Sequence, residues 1–330
     1  MLTLRSFIDV VPLCAIAALS ASAPAAAQGW PSRPLTLVVP FAAGGGADIM
    51  GRVVAARLSE VLGQQVLVEN MGGAGGMNGV YRVAKAPPDG YQIVLGTSGT
   101  HAQNQTLYKN PLYNAATDFA PVAFIGEQPI VLMARVDFPA DNLAGFGAYA
   151  KSHEADLKYG SAGTGSAVQL ACVLLNAALG IKVTHIPYRG SAPATQDLIA
   201  GRIDYQCANL GPFLGQVQTH MVKAIALLSR RRTALLPALP TAREQGLTDF
   251  EAALWYGLFL PKGTPAPIVE KLNTAAVGVL NTPSVQQWMK ENGAEIAAPE
   301  QRSPEYLGKF VESEIEKWAG PIRASGVSVE

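Results

Sequence analysis

The chain carries little with which to do chemistry. Its four histidines, His101, His153, His185 and His220, stand at no spacing that would let them share a metal with one another or with a cysteine. Ser161 and Ser166 lie in no Gly-x-Ser-x-Gly elbow. The stretch Gly72-Gly-Ala-Gly-Gly76 lacks the Gly-Lys-Ser/Thr ending of a phosphate loop, and Ala74-x-Gly76-x-x-Gly79 falls short of a dinucleotide fingerprint. No catalytic residue, metal or cofactor is expected from these patterns, and the chain is not read as an enzyme. Charge of one sign is missing too. Acidic and basic residues balance at 25 each, and the only dense basic run is Arg230-Arg231-Arg232. Set beside Pro237 and Pro240, that run reads as a solvated loop, and no nucleic-acid partner is expected.

Cysteine is scarce, with three in 330 residues. Cys14 falls in an N-terminal export address. Arg5 supplies a positive start, Val10 to Leu19 is a compact apolar run with Asp9 at its edge, and Ala23-Pro-Ala-Ala-Ala27 offers small residues before Gln28. The run is too short to span a bilayer, which needs about 20 apolar residues. Val11-Pro-Leu-Cys14 does not resemble a lipoprotein attachment box. Residues 1–27 are therefore expected to be removed near Ala27 and the remainder to work outside the inner membrane, in the periplasm. In that oxidising compartment Cys172 and Cys207 form an even pair, either bridged or left as two buried thiols.

What is present is glycine at ordered places. From Pro34 the chain alternates strand, glycine turn and helix: a strand over Leu35–Val39, a helix over Asp48–Leu62 stopped by Gly63, a strand over Gln65–Glu69, a helix through Val83, a strand over Tyr91–Leu95. The middle repeats the plan, with a helix over Ala167–Leu179, a strand over Val183–Pro187, a loop over Tyr188–Pro193, a helix over Ala194–Ala200, and strands over Arg202–Tyr205 and Val222–Leu228. A strand over Leu254–Leu260 and helices over Pro267–Leu280 and Ser303–Ala324 close the chain. Alternation of this kind predicts two α/β lobes, each with a mainly parallel sheet, whose ligand loops lie at the carboxyl ends of the strands.

Three glycine loops follow a strand and open a helix: Gly44–Ala47, Gly72–Gly76 and Ser161–Ser166. Glycine lets a ligand approach the main chain, and a helix N-terminus offers unpaired N–H groups and the positive end of its dipole. Any one such loop is ordinary turn chemistry. Three at the same topological place point to an anion site without a cationic side chain. Hydrogen bonds to a charged group contribute about 1.5–3 kcal/mol each; a few from each lobe would reach the about 8 kcal/mol of micromolar binding. Asp48, at a helix start, is read as a capping or hinge-anchoring residue rather than a base. His185 is read as a core histidine, and His101 stands where it could line a cleft.

Several segments resemble one family. They are Trp30 to Asp48 (WPSRPLTLVVPFAAGGGAD), Gly73-Ala-Gly-Gly76, Ala86-Pro-Pro-Asp-Gly-Tyr91, Asp118-Phe-Ala-Pro-Val122, Tyr159 to Ser166, His185-Ile-Pro-Tyr-Arg-Gly190 and Phe259 to Pro265. In this order they resemble the substrate-binding proteins of tripartite tricarboxylate transporters, the Bug family. The resemblance implies a two-lobed type II periplasmic binding protein fold joined by two crossover strands, with residues 28–128 and 252–330 in one lobe and 129–251 in the other. It implies a monomer that holds a small carboxylate, a di- or tricarboxylate or an aromatic acid, through backbone amides and ordered water. It also implies delivery to a membrane transporter with one large and one small integral subunit. Carried over by position, Phe41, Ala42, Gly45, Ala47, Thr97 and Ser98 would face the ligand from the first lobe. Thr164, Gly165, Ser166, Arg189, Gly190 and Ser191 would face it from the second.

Two positions depart from the pattern. Gln169 replaces the usual histidine, and Tyr205-Gln-Cys-Ala-Asn209 stands where many members carry an aspartate. The second departure touches the pocket wall and disfavours an amino-acid ligand, whose ammonium would want an anionic partner. Tyr188, Tyr205, Phe213 and Trp255 could admit an aromatic ring or serve as core. A sensory module for a kinase and an exported hydrolase or transferase are the alternatives on the same fold.

Overall fold

A computed structural model describes residues 29–329; the export address and Cys14 lie outside the described residues. The chain divides into an N-terminal unit ending at Trp30 and a main unit from Pro31 onward, to which all the strands and helices named below belong.

Its elements begin with β1 (Leu35–Val39), α1 (Gly46–Leu62), β2 (Val66–Asn70), α2 (Met77–Ala84), β3 (Gln92–Thr97) and α3 (Asn104–Leu107). The middle comprises β4 (Phe119–Arg135), α4 (Leu143–Ser152), β5 (Lys158–Ser161), α5 (Ala167–Leu179), β6 (Thr184–Pro187), α6 (Ser191–Ile199), β7 (Tyr205–Asn209), α7 (Leu214–Gln218) and β8 (Val222–Leu227). The last elements are β9 (Ala253–Pro261), α8 (Ala266–Asn281), α9 (Pro283–Glu291), β10 (Glu295–Ile296) and α10 (Pro304–Ala324). None of the described helices is long and apolar enough to cross a membrane.

The strands follow one path, β2-β1-β3-β9-β4-β7-β5-β6, with β8 and β10 also paired to β4. Two parallel groups, β2-β1-β3 and β7-β5-β6, sit at its ends. Between them β4 changes partner within one strand. Phe119 to Pro129 pair with β9, and Ile130 to Ala134 pair with β7. Both crossing strands are buried along most of their length, as strands covered by helices on each side are.

The helices that point at the site are built by local signals. Gly63 ends α1 in the left-handed conformation (φ 67°) and donates to Ser59 O at 3.1 Å. Ser166 caps α5 by accepting from the Gln169 N–H at 3.3 Å, and Gly180 (φ 65°) closes it. Two sequence expectations shift. The helix expected from Ala194 begins at Ser191, because Pro193 lands in the first turn, where its missing N–H costs nothing. The strand expected over Arg202–Tyr205 is instead Tyr205–Asn209: Asp204 turns aside to accept from Arg135 Nε (3.1 Å) and the Lys158 N–H (2.8 Å), and register with β4 starts only at Tyr205.

Candidate functional site

At the carboxyl ends of β1, β3, β5, β6 and β7 the structure forms a cavity that is partly open to solvent. Its wall is formed by Phe41, Gly45, Gly46, Ala47 and Thr97 on one side and Ala162, Ser166, Ala167, Val168, Ser191 and Asn209 on the other, with Leu254 from β9. No lining side chain is charged. Helices α1, α5 and α6 all begin there. Among the described residues, no carbonyl accepts the N–H of Gly46, Ala47, Ala167, Val168 or Ser191, as befits first-turn donors. Three dipole ends and a set of unspent donors thus face one space, an arrangement that stabilises negative charge without a cation.

The residues anticipated from sequence separate into two groups, with Ser98 outside both. Phe41, Gly45, Ala47, Thr97, Ser166 and Ser191 line the cavity. Ala42, Thr164, Gly165, Arg189 and Gly190 lie instead where the loops after β1 and β2 touch the loops after β5 and β6. There the Ala42 N–H donates to Arg189 O (2.9 Å), and Tyr108 Oη donates to Thr164 O (3.0 Å). Ser98 is buried with its hydroxyl 3.5 Å from Ala253 O. Sequence reasoning covered Gly46 and Ala162 only as parts of the loops Gly44–Ala47 and Ser161–Ser166, did not name Ala167, Val168 or Leu254, and reached Asn209 only as part of the departure at 205–209. Tyr188, Tyr205, Phe213 and Trp255 are absent from the wall. Tyr205 stacks on Tyr159 and donates to Asn176 Oδ1 at 2.9 Å.

Asp48 anchors the first loop. Its carboxylate accepts from the Gly44 N–H (2.9 Å), Asn70 Nδ2 (2.9 Å) and Arg52 Nε (3.1 Å). Burial opposes its ionisation, but the hydrogen bonds from Arg52, Gly44 and Asn70 and the charge of Arg52 outweigh it and hold the carboxyl below its usual range. Gln169, in the position of the usual histidine, accepts from the Gly165 N–H at 3.4 Å.

The two inner histidines are structural. His101 is fully buried, stacks on Phe259 at 3.9 Å, and shares a 3.0 Å hydrogen bond with Thr100 Oγ1. His185 lies against Tyr159 and 2.7 Å from Ser161 Oγ. That Ser–His pair was not legible in the sequence. Ser161 is 1% exposed and also accepts from the Gly163 N–H at 3.0 Å, and neither partner lines the cavity.

Burial pushes His101 down to about 3 and His185 down to about 4. Each lies below the unfolded value of about 6.5, so between the two values the unfolded chain binds more protons. Stability is therefore expected to be full above pH 6.5 and to fall as pH drops from there toward 4. Urea midpoints at pH 7 and pH 4.5 check this; an unchanged midpoint would show that neither imidazole is held neutral.

Residues 50–327 match the sequence profile of the family described as tripartite tricarboxylate transporter family receptor. Protein BugT of Bordetella pertussis is 33% identical over 316 residues, 96% of each chain. The structure of MatC (Rpa3494) from Rhodopseudomonas palustris with bound malate is 40% identical, covering 89% of this chain and 100% of that one, with a TM-score of 0.87. R. palustris Rpa4515 with adipate is 36% identical, covering 91% of this chain and 99% of that one, with a TM-score of 0.86. The chain has the α/β periplasmic binding protein fold of these structures.

Proposed function

The chain belongs to the tripartite tricarboxylate transporter receptor family, and from that premise we propose that it is a periplasmic receptor that captures a small carboxylate between two lobes. The observation that carries this reading is the convergence of three helix N-termini on a cavity with no charged side chain. Carboxylate oxygens satisfy those N–H groups, whereas an ammonium finds no anion there. Relatives solved with malate and adipate support the ligand class. The lobes are residues 28–128 with 252–330, and 129–251. The change of partner along β4 supports this division: Pro129 pairs Ala253 at the end of one ladder, and Ile130 pairs Asn209 at the start of the next. Strands β4 and β9 then act as the crossovers about which the lobes close on the ligand. The protein works as a monomer, exported after cleavage near Ala27, and hands its ligand to a transporter of one large and one small membrane subunit. It performs no chemistry on that ligand.

A thermal-shift panel of dicarboxylates, tricarboxylates, aromatic acids and amino acids tests this. A ligand at a hundred times its dissociation constant adds about 2.7 kcal/mol, which moves the unfolding temperature by about 5 °C in a chain of this length. A shift confined to carboxylates is expected. No shift with any carboxylate, before or after unfolding and refolding to strip a carried-over ligand, would defeat the proposal.

A further inference from the structure

Asn209 ends β7 on the cavity wall and is 3% exposed. Its amide is held by a closed triangle of side chains from three strands. Asn209 Nδ2 donates to Gln128 Oε1 (3.1 Å) and to Tyr256 Oη (3.1 Å). Tyr256 Oη in turn donates to Gln128 Oε1 at 3.0 Å. Both Nδ2 hydrogens are thereby committed to Gln128 and Tyr256, and the side chain packs along Gly46, where a built Cβ would lie 2.8 Å from Asn209 Cγ. A Cβ built on Gly46 would lie 3.0 Å from Asn209 Oδ1. Among the described residues no donor meets Oδ1. The rest of the wall supplies backbone N–H groups, apolar surface and the hydroxyls of Thr97, Ser166 and Ser191. Of these hydroxyls, Ser166 is spent on Gly163 O (2.7 Å) and the Gln169 N–H, and Thr97 on Thr100. Asn209 Oδ1 is the lining side-chain atom that can only accept.

A pure acceptor repels a carboxylate oxygen and calls for a donor. A carboxylate seated on the helix N-termini can offer one beside it only through a further substituent. Ammonium is disfavoured, because the wall holds no anion to neutralise it. The remaining donor is a hydroxyl. We propose that Asn209, oriented by Gln128 and Tyr256, selects hydroxycarboxylates by accepting a hydrogen bond from the ligand hydroxyl. This inference rests on the carboxylate-receptor reading and narrows it. Tyr256 and Gln128 act as positioning residues, since they reach the ligand only through the amide.

Acid pairs that differ by one hydroxyl separate the two claims: 2-hydroxysuccinate and succinate, citrate and tricarballylate, mandelate and phenylacetate. Each is titrated calorimetrically into the purified protein. In whichever pair binds, the hydroxylated member should bind at least about 10-fold tighter, because its deoxy partner leaves a buried acceptor unpaired. Asn209→Ala should bring the ratio to within about threefold of unity, with thermal unfolding confirming a folded chain. Tyr256→Phe keeps the ring but frees one Nδ2 hydrogen, and should lower the ratio partway. Equal affinities within the pairs, or a preference that survives Asn209→Ala, overturns the inference. So does tight binding confined to acids without a hydroxyl, such as adipate. Binding of no carboxylate at all overturns the receptor reading itself, and the inference with it.

Discussion

Replacing Gly75 by alanine should weaken ligand binding by about 100-fold or more, equivalent to about 2.7 kcal/mol, while the ligand-free protein unfolds close to the wild-type temperature. Gly75 sits in the loop after β2 at φ 60°, ψ 23°. That conformation costs alanine only about 1–2 kcal/mol. The steric conflict is larger, and under the proposed closure of the two lobes it arises only where the two loops meet. A Cβ on Gly75 would lie 2.5 Å from the Gly165 carbonyl carbon and closer still to Thr164 O, both backbone atoms of the opposing loop. Backbone cannot yield as a flexible side chain can, so the alanine opposes only the arrangement in which the two loops meet. A receptor whose binding-competent form is populated less shows an apparent affinity reduced by that fraction. Calorimetry gives the affinity, and small-angle scattering with and without ligand shows whether closure is lost. Wild-type affinity in Gly75→Ala would mean that the loops need not touch for capture.

The same glycine illustrates what the sequence could and could not say. Elements with complete local signals are legible to the residue: α5 has a serine cap, a mostly apolar run interrupted by Gln169 and Asn176, and a left-handed glycine at its end, and occupies Ala167–Leu179 as the pattern predicts. Gly44–Ala47, Gly72–Gly76 and Ser161–Ser166 stood out as special loops. Their division of labour did not. A glycine that makes room for a ligand and a glycine that makes room for another loop both show only the absence of a side chain. Gly45 and Gly46 face the cavity, whereas Gly75 and Gly165 face other backbone or Tyr108. The wall residues that escaped notice come from distant segments. Leu254 reaches the site because β9 lies between β3 and β4, a pairing with no local mark. Asn209 has a partial signal, the missing aspartate, but the strand pattern over Arg202–Tyr205 stops short of it, whereas β7 runs Tyr205–Asn209. Its commitment to Gln128 and Tyr256 spans separations of 81 and 47 residues, beyond any periodic pattern.

Opening the bridge between Cys172 and Cys207 should cost about 4 kcal/mol of stability in the chain-entropy model, since the bond spans a sequence separation of 35 residues. Both sulfurs are buried and their Cα atoms are 5.6 Å apart. The bond ties the middle of α5 to β7, two residues before Asn209. It adds a covalent link between the helix that carries the donors at Ala167 and Val168 and the strand that carries Asn209, beside the Tyr205–Asn176 hydrogen bond and the β5–β7 ladder at Tyr159–Tyr205 and Gly160–Gln206. Urea unfolding of the wild type with and without reductant, and of the Cys172→Ala, Cys207→Ala double variant, measures the cost. A reduced protein with an unchanged midpoint would show that the bond adds nothing to the fold. If stability falls as expected, affinity should fall far less at temperatures where the reduced chain stays folded. Ser166 still caps α5 through Gln169, and Asn209 keeps both of its hydrogen-bond partners. The bond limits excursions of the unfolded chain, whereas the shape of the site is set by contacts that survive its loss.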